Sequence, residues 1–167
     1  MVDQQQQYYI GDNMEPRSEI LEQYQRECSP EEYREIRQLY KDHSIAEEQR
    51  NILGLLSTLT EDCIYTLPQA GHSWKGQEGA AQFYNELLTA FPDIDFKLEN
   101  IVIGPQGVCE LARVTGTHRE SWLGRKANGQ TVDFKVVIFF PWDPEHKLFK
   151  GEIMYIDHYH ELMGRTE

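Results

Sequence analysis

The feature that most restricts how this chain can fold is a change of hydrophobic period near residue 93. Before it, apolar residues recur at helical spacing, and after it they alternate with polar ones. In "SPEEYREIRQLYKD", Ser29 is placed as an N-cap, Pro30 as the first helical residue and Glu32 as the partner in a capping box. Tyr33, Ile36, Leu39 and Tyr40 then mark one face of the helix. "SIAEEQRNILGLLSTLTED" continues helically after a break near His43, with Ile45, Ile52, Leu55, Leu56 and Leu59 as its stripe. "CIYTLP" reads as a strand stopped by Pro68, "QAGHSWKG" as a loop, and "QEGAAQFYNELLTAF" as a helix halted ahead of Pro92.

Four strand candidates follow: "DIDFKLENIVI", "VCELARVTGTH", "QTVDFKVVIFFPW" and "KLFKGEIMYIDHY". Asn128-Gly129, between the second and third, is a hairpin turn pair. Helices first and consecutive antiparallel strands afterwards give an α+β domain in which a curved sheet wraps the helices. The sequence shows no repeat and no linker. It divides into a polar N-terminal extension, residues 1–28, and a single domain, residues 29–167. Within the extension, Tyr8, Tyr9 and Ile10 are the residues able to dock on another surface.

The last strand carries one residue that asks for an explanation. If "KGEIMYIDHYH" is a regular strand, Phe149, Ile153, Tyr155, Asp157 and Tyr159 share a face, and Asp157 is the only charged member. A carboxyl group in apolar surroundings has a raised pKa and can move a proton at neutral pH, which suits acid/base chemistry. A buried brace to Arg113 or His118 is the structural alternative. Arg113 is five residues before His118, so a regular strand points the two in opposite directions, and Arg113 is left out of the site. His118, at the end of "VTGTH", is placed to assist Asp157 or to hydrogen-bond a substrate oxygen. Tyr65, His72, Trp74, Trp122 and Tyr155 are the aromatic candidates for the wall of a substrate pocket, with core packing as the alternative.

His158 and His160 form a His-x-His with two imidazoles on one strand face. Glu152 shares that face, but the eight residues of strand between Glu152 and His160 span roughly 26 Å. No metal site is therefore expected.

The formal charge of −12 argues against nucleic acid or an anionic membrane surface as a partner, because both require clustered Lys and Arg. The acidity itself reads as ordinary solubility, carried by solvated helical stretches. Three widely spaced cysteines, Cys28, Cys63 and Cys109, fit a reduced, cytoplasmic protein. The N-terminus has no basic region followed by an apolar one, and no run approaches membrane-spanning length.

The stretch "DCIYTLPQAGHSWKGQEGAAQFYNELLTAFPDIDF", then "GTHRESWLGRKANGQTVDF" and "EIMYID", resembles the SnoaL-like polyketide cyclase family of the nuclear transport factor 2-like (NTF2-like, cystatin-like) superfamily, over roughly residues 45–164. The resemblance rests on the order and spacing of Trp-x-Gly, Phe-Pro-Asp, Gly-Thr-His and the Asp of the last strand. It implies an NTF2-like cone with a pocket at its open end, and a homodimer through the sheet face. It also implies ring closure by aldol chemistry without metal or organic cofactor, with Asp157 at the place of the family's acid/base aspartate. Superfamily relatives include ketosteroid isomerase, scytalone dehydratase and limonene epoxide hydrolase. The expected activity is that of a cyclase, isomerase or lyase acting on a small hydrophobic carbonyl compound. The alternative is a non-catalytic small-molecule-binding or protein-assembly module. Met154 and Ile156 replace the family's more aromatic run before the aspartate, and "HYH" follows it, so the substrate is not carried over.

Overall fold

Ser29 accepts a hydrogen bond from the Glu32 amide at 3.1 Å, and with Pro30 behind it the expected helix starts where its capping residues place it. The computed structural model describes residues 18–159; the tail with Tyr8, Tyr9 and Ile10, and also His160, lie outside the described residues. A short α1 (Ser18–Gln25) precedes α2 (Pro30–Glu48). α2 runs unbroken through His43, which is buried inside it, so the break comes later, at residues 49–51. α3 (Ile52–Leu56) is a single turn capped by Asn51. The strand β1 (Leu59–Leu67) then begins earlier than the helical stripe suggested.

Pro68 ends β1 in a 3-10 turn, Pro68–Ala70, and the expected loop contains a short strand, β2 (His72–Lys75). α4 (Gly76–Ala90) stops two residues before Pro92. The remaining strands are β3 (Asp95–Gly104), β4 (Gly107–Thr117), β5 (Thr131–Asp143) and β6 (Leu148–Ile156). They form one sheet in the order β2-β1-β6-β5-β4-β3, antiparallel except for the β1–β6 pair. The curved, mixed six-stranded sheet closes over α2 and α4, as expected for the NTF2-like cone. No helix among the described residues is long and apolar enough to cross a membrane.

Residues of even number on β4 and β5 point inward, among them Val108, Ala112, Val114, Val136, Ile138 and Phe140. Two bulges change the parity that simple alternation predicts. On β3 an extra residue, between the pairs Leu98↔Ala112 and Asn100↔Leu111, moves the inward set from Phe96 and Leu98 to Ile101 and Ile103. On β6 three residues lie opposite two of β5 between the pairs Trp142↔Phe149 and Phe139↔Ile153. Gly151 occupies this bulge with φ +116°, and a Cβ there would stand 2.0 Å from the carbonyl oxygen of Ile64. Phe149 is inward as expected, but beyond the bulge Glu152, Met154 and Ile156 turn inward while Tyr155 is exposed.

The connection from β4 to β5 also differs from a two-residue hairpin at Asn128-Gly129. His118 and Thr117 continue the pairing opposite Gln130 and Thr131, and a longer excursion follows. Its tight turn is Leu123-Gly124, both at positive φ, bridged by reciprocal Trp122–Arg125 backbone bonds of 2.9 Å.

Candidate functional site

Helical periodicity puts Ile36, Tyr40, His43 and Glu47 on the face of α2 that looks into the cone. Against them stand Tyr84 of α4 and the inner residues of β3 and β4. The space left between these elements is a cavity of about 730 Å³, lined by Tyr40, Glu47, Tyr84 and Glu110 among apolar residues such as Leu87, Phe96, Ile101 and Ala112. Its volume is in the range that holds a drug-sized molecule. A second, entirely apolar pocket of about 40 Å³ shares Leu87, Ile94 and Phe96 with it and runs on toward Trp122 and Ile156.

Three glutamates converge at the first end. Glu152 is 3% exposed and accepts from the Tyr84 hydroxyl at 2.7 Å. The oxygen of Tyr84 in turn accepts from Tyr65 at 3.2 Å. Thr58 spends its hydroxyl proton on the carbonyl of Leu55, so its oxygen accepts from Nδ1 of His43 at 2.6 Å. The other ring nitrogen, Nε2, faces Oε1 of Glu152 at 3.1 Å. The same nitrogen lies 3.2 Å from the Tyr84 hydroxyl. This chain from Tyr65 to Thr58 has every member partnered, as burial requires.

Glu110 takes a hydrogen bond from the Tyr40 hydroxyl. Burial raises its pKa against the effect of that bond, and the nearby Glu152 adds to the rise. Glu47 shows the larger effect. Burial first, then the charges of Glu152 and Glu110, hold its carboxyl well above the usual carboxylate range, and no side-chain donor among the described residues reaches it. It faces the cavity. Burial and the adjacent Glu152 also push the hydroxyls of Tyr84 and Tyr65 well up, so both remain neutral donors.

The residues expected from sequence to form the site are dispersed. The bulge at Gly151 overturns the face assigned to Asp157. The strand ends at Ile156, where the Gln69 side chain makes two hydrogen bonds of 2.8 Å with its backbone, and Asp157 follows in a turn. Its side chain is 55% exposed, beside His158 at 3.3 Å, and far from the apolar setting that motivated it. The same parity change puts Tyr155 on the outer face of the sheet. His72 is exposed and stacks on Trp74, while Trp74 is core, edge-on to Phe83. Tyr65 is fully buried and approaches the cavity only through Tyr84. Arg113 pairs with Asp133 at 2.5 Å on the outer face, in line with its exclusion from the site.

His118 and Trp122 lie together at the other end of the interior. Asp93 accepts from the Thr117 amide and hydroxyl at 2.7 and 2.6 Å, tying Phe-Pro-Asp to Gly-Thr-His. His118 stacks on Phe91, and Trp122 meets the same ring edge-on while lining the apolar pocket. Each is 6% exposed, and among the described residues Nε2 of His118 and Nε1 of Trp122 have no hydrogen-bond partner. No group of three His, Cys, Asp or Glu among the described residues is arranged to hold a metal ion.

Sequence reasoning missed Tyr40, His43, Glu47, Tyr84, Glu110 and Glu152. A signal for half of them was present: the spacing of Ile36, Tyr40, His43 and Glu47 puts three polar groups on the buried stripe of α2.

The sequence pattern of the SnoaL-like polyketide cyclase family matches residues 34–146. No curated protein sequence matches the chain. Solved structures share its fold. A candidate SnoaL-like polyketide cyclase from Shewanella denitrificans OS-217 is 14% identical, with TM-score 0.66, covering 80% of this chain and 96% of its own. One from Jannaschia sp. CCS1 is 19% identical, with TM-score 0.65 and coverage of 85% and 99%. AclR, a candidate hydroxylase from Streptomyces galilaeus, is 17% identical, with TM-score 0.63 and coverage of 81% and 99%.

Proposed function

Because the chain belongs to the SnoaL-like polyketide cyclase family, we propose that it is an acid/base enzyme of cyclase, isomerase or lyase type for a small hydrophobic carbonyl compound, working without a cofactor. The observation that carries the reading is Glu47, a carboxyl without a side-chain donor among the described residues, its pKa raised by burial, on the wall of a largely apolar cavity of about 730 Å³. As charge develops on a substrate's carbonyl oxygen, Glu47 gives it a proton. Glu110, made more basic by burial, takes a proton from the carbon next to that carbonyl. The C–H bond breaks, an O–H bond forms, and the resulting enol is the nucleophile of an aldol step or the intermediate of an isomerisation. Tyr84, on the same wall, keeps its hydroxyl proton on Glu152 and so gives the cavity a fixed, neutral side.

The test needs no natural substrate. The methyl protons of 2-acetonaphthone exchange with D2O on enolisation, and proton NMR follows the loss. The protein is expected to accelerate exchange, and Glu47→Gln to lower that rate by about 100-fold or more. Asp157 and His118 remain the competing pair. Asp157→Asn abolishing exchange while Glu47→Gln leaves it intact would return the chemistry to the strand end. The fully partnered chain from Tyr65 to Thr58 supports a second reading, a receptor whose interior polar groups only set its shape. Binding of the ketone without any accelerated exchange selects it.

For assembly, we propose a homodimer through the outer sheet face. Ile64, Val102, Val137 and Tyr155 are exposed there, and Leu111, Val137 and Tyr155 follow one another across β4, β5 and β6. Light scattering should give twice the chain mass, and Val137→Glu should halve it. The free thiols of Cys28, Cys63 and Cys109 support a reducing, cytoplasmic location.

A further inference from the structure

α2 separates its charges. Arg34, Arg37 and Lys41, at spacings of three and four, lie along one edge of the helix. Glu31, Glu35 and Asp42 lie along another, roughly 100° away. The acidic edge faces the turn between β5 and β6, where Glu35 pairs with Lys147 at 2.5 Å. The basic edge borders the cavity, and Arg37 and Lys41 form part of its lining. Arg50 joins them from the end of the helix, at φ +55°, with its guanidinium donating to the carbonyl of Ile94 at 3.3 Å. Among the described residues none of these three cations has an ion-pair partner. The acids that line the same cavity at its exposed edge are Glu48 and Asp95.

Cations therefore outnumber anions at this rim in a chain whose 28 acidic residues otherwise exceed its 16 basic ones. Like charges one turn apart on a helix are mildly destabilising, so Arg37 and Lys41 are not explained by the stability of α2.

We infer that the ligand of this cavity is an amphipathic anion: an apolar body that fills the space between α2, α4 and β3, and a carboxylate held at the rim by Arg37 and Lys41. The inference rests on the cavity being a small-molecule site, as proposed above, and adds the charge of its ligand. An ionised group at the rim also fixes which end of the ligand reaches Glu47 and Glu110.

The experiment compares 2-naphthoate with its uncharged methyl ester by isothermal titration calorimetry at low and at 0.5 M salt. Wild-type protein should bind the carboxylate about tenfold more tightly than the ester at low salt, with the advantage shrinking at high salt. Arg37→Ala/Lys41→Ala should bind the two alike, and Arg37→Glu/Lys41→Glu should reverse the preference. Arg34→Ala, on the same edge but outside the lining, should keep it. Equal binding of both probes by wild-type protein overturns the inference and leaves the small-molecule reading standing. An advantage that persists in Arg37→Ala/Lys41→Ala, or vanishes in Arg34→Ala, also overturns it. Binding of neither probe removes the reading on which it rests.

Discussion

The two ends of the interior treat buried polar groups in opposite ways. Where α2 meets β4 and β6, Glu152, His43, Tyr84, Tyr65 and Thr58 satisfy one another and Tyr40 satisfies Glu110, and Glu47 is the carboxyl left without a side-chain donor among the described residues. At the end formed by the β4–β5 connection, His118 and Trp122 pack aromatic rings around Phe91 and leave two ring nitrogens without partners among the described residues. The first end gains rigidity and perturbed acids from its hydrogen bonds. The second gains shape from its rings, and each orphaned nitrogen costs about 1–3 kcal/mol. Reactive groups are therefore expected at the first end, and the second is a wall.

The comparison breaks most completely at Gly151. The bulge there turns Glu152 toward His43, and Gly151→Ala would drive a Cβ into the Ile64 carbonyl. The expected loss is about 4 kcal/mol or more, seen as failure to give a cooperative unfolding transition. Next comes Glu152→Ala, which leaves Tyr84 buried without its acceptor and His43 without its carboxyl partner. Urea unfolding should show a loss of about 3 kcal/mol.

The pH dependence of stability sharpens the contrast. Glu47 and Glu110 have pKa values raised in the folded state, so the native protein binds more protons than the unfolded chain above the ordinary value of 4.5. Their contribution is intact below that value and is lost as pH rises through the folded pKa. Thermal scans from pH 5 to 8 should show Tm falling for the wild type, with a shallower fall for Glu47→Gln. A wild-type Tm that rises steadily over this range would falsify the assignment of neutral acids to this end.

The smallest effect belongs to the other end. Trp122→Phe keeps the ring against Phe91 and removes the unpartnered N–H, so stability should stay within about 1 kcal/mol of wild type or rise slightly. A loss as large as that of Glu152→Ala would mean that Trp122 has a bound partner in solution and that the two ends are alike.

Much of the architecture was legible because it follows from local rules. The capped start of α2, the stop of α4 before Pro92, and the run of strands after residue 93 each depend on residues close in sequence. The family resemblance marked the same region, and its motif residues, Asp93 with Thr117, prove to be joined by hydrogen bonds. A lone carboxylate on the inner face of the last strand was also the right kind of feature to seek, but the structure puts Glu152 there and leaves Asp157 in solvent.

The sequence by itself determined the α+β class and the order of the main helices and strands, since periodicity and capping are properties of neighbouring residues. Only the tertiary structure decided which residues face the cavity. One inserted residue on β3 and one on β6 reverse the alternation beyond them, and whether a strand bulges depends on the partner strand's register, as with Gly151 against Ile64. Glu47 reads from its own helix as a surface residue near a C-terminus. Its carboxyl is pushed well above the usual carboxylate range only because the packing of β4 and β6 against α2 buries it and brings Glu152 and Glu110 close.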